Sequence, residues 1–121
     1  MTFDTNFNVA FDSPTQDIDP TTALLIRARG FIERGWCRYV RARDAAGNPV
    51  EPTSEQAVAW CAGGALIAAG SPDDERYRRA EFRRLEDAID CSWVANFNDL
   101  QETVEPILAA FDRAIAARET T

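Results

Sequence analysis

The spacing of apolar and polar positions predicts four helices and one short hairpin. From Ala57 to Gly70 the stretch 53–70, TSEQAVAWCAGGALIAAG, carries no charge, in a chain where 27% of residues are charged. A helix that is apolar on every side belongs inside a fold. This one is too short to cross a bilayer. Thr53 can cap its start and Gln56, three residues on, can reach back in a capping box. Gly70 can close it in the left-handed conformation. In its centre Gly63 and Gly64 are adjacent, each costing about 1 kcal/mol relative to Ala. The pair predicts another backbone lying against this helix.

The flanking elements follow from local signals. Asp19-Pro20 reads as an N-cap followed by proline at the first helical position, with the helix running to about Arg34 and ending at Gly35. Trp36–Arg43 is aromatic and β-branched. It is followed by Asp44-Ala45-Ala46-Gly47, a turn composition, and by Asn48-Pro49-Val50 as a short return strand, so a hairpin is expected. Ser71-Pro72-Asp73-Asp74 reads as a third helix start, with the helix reaching Ile89 and its five arginines expected on a solvated, salt-bridged surface. Asp90–Asp99 has no clear period and reads as a connector, extended around Trp93 and Val94. The final helix begins near Thr103, with Val104, Ile107, Leu108, Phe111, Ala114 and Ile115 on one stripe. The expected fold is mainly α, a four-helix domain over residues 20–121 around a buried central helix, with one small β-hairpin. Residues 1–19 form an N-terminal arm, either a strand or a disordered lead. In it Phe7, Val9 and Phe11 alternate with Asn8 and Ala10.

Composition narrows the chemistry. The 121 residues suit one domain, and a 45% apolar content argues for a folded chain. No charged segment followed by an apolar one marks a signal peptide, so a cytoplasmic location is expected. Three cysteines, Cys37, Cys61 and Cys91, fit reduced and mostly buried thiols. The net charge of −7 disfavours nucleic acid. There is no His, and all 13 basic residues are Arg. The chain thus lacks the usual near-neutral proton shuttle and the commonest metal ligand. It also lacks a lysine for Schiff-base chemistry. No metal and no cofactor is expected.

Gly35-Trp36-Cys37, the Asp44…Gly47 turn with Pro49-Val50, Trp60-Cys61-Ala62-x-Gly64-Ala65, and Asn98-Asp99 ahead of Phe111-Asp112-Arg113-Ala114-Ile115 occur in this order. Together they resemble a family of small bacterial and phage proteins of unknown function, over roughly Thr21 to Ala117. Where that family has Trp-Asn-Asp, this chain has Phe97-Asn98-Asp99, keeping an aromatic group but losing the indole donor. The resemblance implies no activity, substrate or cofactor.

Three groups of residues are candidate sites. Asn98 and Asp99, read as a loop before a helix, suit a ligand hydroxyl, an ammonium or a share of a cation site. Such pairs equally satisfy the backbone of a loop. Cys61 lies in the most apolar stretch beside Trp60, where a thiol is held protonated, so Trp60, Cys61, Gly63 and Gly64 read as structural. Trp36, Tyr39 and Arg41, with Arg38 and Arg43, put interface-type residues on one hairpin, and Phe7, Val9 and Phe11 could pair with a sheet edge of another subunit. The function expected is binding or assembly rather than catalysis, with a protein partner, either a second copy or another chain. The alternatives are a small enzyme or ligand-binding protein using Asn98 and Asp99, and an acidic decoy of nucleic acid.

Overall fold

A computed structural model describes residues 18–72, 79–90 and 93–117. The expectations for the arm, with Phe7, Val9 and Phe11, and for residues 73–78 and Cys91 lie outside the described residues. In chain order the elements are α1 (Pro20–Arg34), β1 (Ala42–Arg43), β2 (Ala59–Trp60), α2 (Ala62–Ala69), α3 (Ala80–Ile89), α4 (Val94–Leu100) and α5 (Glu105–Ala116). The described residues are mainly helical, with five helices and one two-stranded antiparallel sheet among them.

The first helix forms as its signals predict. The Asp19 carboxylate accepts the Thr22 N–H at 2.7 Å, Pro20 follows the cap, and Gly35 donates back to the Phe31 carbonyl. Leu24, Leu25, Ala28 and Ile32 face inward, and α1 packs against α2, α3, α5 and β2. The helix bearing Gly63 and Gly64, α2, packs against α1, α3, α4 and β2.

That helix, α2, is half as long as the sequence pattern suggests. Thr53 and Gln56 make no capping box; residues 51–57 form turns, in which the Ser54 hydroxyl accepts the Gln56 N–H. Ala57–Trp60 leaves the helix for extended pairing. The Val58 N–H donates to the Arg43 carbonyl, Ala42 pairs with Trp60, and Trp36 bridges Trp60 in parallel. Trp60 also donates its indole N–H to the Pro52 carbonyl at 3.0 Å. These bonds cross the chain, so they outweigh a local helical preference without leaving a local signal.

The turn after β1 is present. Asp44 accepts the N–H groups of Ala46 and Asn48, Gly47 has φ +89°, and Arg43 bridges Pro49. The return segment makes only this isolated bridge, and the longer partner of β1 is β2. Residues 94–100, expected as part of a connector, form the short helix α4.

Arginines from neighbouring elements close the C-terminal ends of four helices. Arg27 donates to Ala69 in α2, Arg113 to Ala88 in α3, Arg38 to Gln101 at the end of α4, and Arg84 to Ala114 and Ile115 in α5. Each supplies both the hydrogen bonds and the positive charge that a helix C-terminus lacks. Arg84 also donates to the buried Thr22 hydroxyl at 2.8 Å. This arginine of the third helix is thus a tie between α1, α3 and α5, not a solvated surface group.

Candidate functional site

The sites suggested by sequence meet around α4. Asn98 is fully buried in this helix rather than on a loop. Its side-chain oxygen accepts the Trp36 indole N–H at 2.8 Å and the Ala62 backbone N–H at 2.9 Å. Its amide nitrogen donates to the Cys37 carbonyl and to Asp99 Oδ1, both at 3.1 Å. Two bonds at each end fill the capacity of a carboxamide. Ala62 is the first residue of α2, so Asn98 satisfies an N–H that the helix itself leaves unpaired. Three of the sequence motifs, Gly35-Trp36-Cys37, Trp60-Cys61-Ala62 and Phe97-Asn98-Asp99, therefore meet at one amide.

Asp99 extends the same joint outward. Its Oδ1 also accepts the Tyr39 backbone N–H at 2.8 Å. Tyr39 has φ +76° and a 67% exposed side chain, with the Arg38 guanidinium 5.2 Å from its ring centre. Trp36 is half-buried, and Arg41 pairs with Glu51 at 2.9 Å. Trp93, the N-cap of α4, and Leu100, its last residue, are 61% and 69% exposed.

Cys61 caps α2: its Sγ accepts the Gly64 N–H at 3.3 Å. Burial pushes this thiol's pKa up, against the opposing effect of the Gly64 and Gly63 N–H groups. Burial likewise pushes Cys37 up to about 11. Both groups are neutral thiols near pH 7 and lack the thiolate a nucleophile needs. Among the described residues no three His, Cys, Asp or Glu side chains form a group suited to a metal ion. No helix among them is long and apolar enough to cross a membrane.

The two glycines do different things. A Cβ on Gly64 would overlap the Arg41 carbonyl oxygen, so this glycine permits the expected close backbone approach. A Cβ on Gly63 would meet only the Phe82 ring edge, at 3.7 Å. Gly63 instead floors a cleft of about 110 Å³, walled by Ile67 of α2, Phe82 and Glu86 of α3, and Trp93 and Val94 at the start of α4. Sequence reasoning missed this cleft, because its walls are neighbours only after three helices have packed.

The family of unknown function DUF6197 matches residues 17–117, and the chain belongs to that family. Neither the curated proteins nor the solved structures yield a match.

Proposed function

We propose that this chain is an assembly module that pairs with a second copy of itself through Tyr39 and the outer side of α4. The observation that carries this reading is the backbone of Tyr39. A bulky residue at positive φ is a strained outlier, costing on the order of 1–3 kcal/mol. Here the strain presents an aromatic ring to solvent, and Asp99 holds the backbone in place. Tyrosine and tryptophan are the residues most often found at the energetic centre of protein contacts.

Leu100 follows Asp99 directly, and both Leu100 and Trp93, the N-cap of α4, are exposed. The patch carries both charge signs, with Arg38 beside Tyr39 and the exposed Glu102 beyond Leu100. A two-fold contact buries the same patch on both copies, so it needs a surface that complements itself. In a sample mixing isotope-labelled and unlabelled chain, intermolecular NOEs to the Tyr39 ring and the Leu100 methyls are expected. A concentrated sample without them would remove the reading.

A further inference from the structure

The cleft between α2, α3 and the start of α4 is bordered by a carboxylate, Glu86, that neither the fold nor the assembly face uses. We propose that it is a binding site for a small primary amine bearing one aromatic ring or a branched alkyl group of similar size.

Size comes first. A volume of about 110 Å³ is that of a single ring; an engineered apolar cavity of about 150 Å³ takes benzene. The walls suit such a group, with Ile67, Val94 and the Phe82 and Trp93 side chains around it.

The floor comes next. Gly63 is the second residue of α2, where glycine costs up to about 1 kcal/mol relative to Ala. Space exists for a methyl group there, so packing does not demand glycine. What the missing side chain does is leave the cleft open.

Charge then selects the ligand. Glu86 borders the cleft, is partly buried, and has no hydrogen bond or ion pair among the described residues. Its carboxyl pKa is pushed up, first by burial and then by the charge of Asp87, with Arg83 acting weakly the other way. A desolvated carboxylate gains most from a cation that hydrogen-bonds to it. Arg41 also reaches the cleft but is engaged with Glu51, and the Cys61 thiol is occupied as the α2 cap. The aromatic walls add a face that attracts ammonium groups. The net charge of −7 favours cations over anions throughout.

The test is an NMR titration of the full chain with phenethylamine, phenethyl alcohol and phenylpropionate. These probes share a ring and differ in charge. Phenethylamine is expected to shift the amide signals of Gly63, Ile67 and Glu86, with saturation below about 10 mM, and phenylpropionate to bind at least about tenfold more weakly. Glu86→Gln should weaken the amine about fivefold or more while leaving the alcohol unchanged. Gly63→Ala, which the helix should accept, should weaken both. Equal binding of amine and carboxylate, an unchanged amine affinity in Glu86→Gln, or no shift with any probe at about 10 mM would overturn the proposal.

Discussion

The Asn98 side-chain oxygen accepts the indole N–H of Trp36 at 2.8 Å, joining residues 62 positions apart in the chain. The same oxygen holds the first N–H of α2, and the amide nitrogen holds the carbonyl of Cys37. One polar side chain thus fixes α4, α2 and the segment leading to β1 against each other. In a buried site the value of such a joint lies mainly in what its loss would leave unpaired.

Asn98→Ala is therefore expected to destabilise the fold by about 3 kcal/mol or more, since the buried Ala62 N–H and Cys37 carbonyl and the half-buried Trp36 indole lose their bonds at roughly 1–3 kcal/mol each. Trp36→Phe should cost less, about 1 kcal/mol beyond the packing loss, because Ala62 still occupies the Asn98 oxygen. Urea unfolding followed by tryptophan fluorescence measures both. Equal stability of Asn98→Ala and wild type would mean that water replaces the amide without loss.

The adjacent glycines should respond in opposite directions. Gly64→Ala forces a methyl group into the Arg41 carbonyl and is expected to destabilise by more than about 1 kcal/mol, as overpacking does. Gly63→Ala should be neutral or stabilising by up to about 1 kcal/mol, through helix propensity. Thermal melts of the two variants check the sign of each.

Arg84→Lys keeps the charge but loses the planar fork that reaches Thr22, Ala114 and Ile115 together. A loss of about 1–2 kcal/mol is expected, with the hydroxyl of the fully buried Thr22 left without its donor. Hydrogen exchange should show faster opening of the last turn of α5 in this variant. An exchange rate equal to wild type there would show that the arginine fork does not hold that turn.

Stability should fall at alkaline pH through Cys37. Its folded-state pKa is raised from an ordinary 9.0 to about 11, so the unfolded chain releases this proton first. The associated stability is complete below pH 9.0 and is lost as pH rises toward about 11. Chemical denaturation of wild type and Cys37→Ala across this window should show a steeper decline in wild type. Parallel curves would contradict the assignment.

The parts of this fold that could be read from sequence are those whose signals are local. Asp19-Pro20 marks the start of α1, Asp44 and Gly47 mark the turn after β1, and the stripe from Ile107 to Ala114 marks α5. Gly64 also announced a backbone neighbour, although the sequence could not say that it is Arg41. The start of α2 was hidden because Ala57–Trp60 is compatible with a helix and is drawn out of it by bonds to Arg43 and Gly35. Asn98 read as a loop residue because α4 is seven residues long with no clear apolar period, and its partners lie 36 and 62 positions away. The all-arginine composition includes the four side chains that close helix ends, Arg27, Arg38, Arg84 and Arg113. Nothing local marks Tyr39 for a positive φ, and the Asp99 carboxylate that holds its N–H lies 60 positions away.

Assembly through the Tyr39 and α4 face is tested most directly by light scattering on wild type and on Tyr39→Gly. Glycine relieves the positive φ and keeps the backbone N–H for Asp99, so the variant should melt no lower than wild type. Wild type is expected at twice the 13.5 kDa chain mass and Tyr39→Gly at the mass of one chain. A wild-type monomer at every concentration, or a dimer that survives the substitution, would contradict assembly through this face.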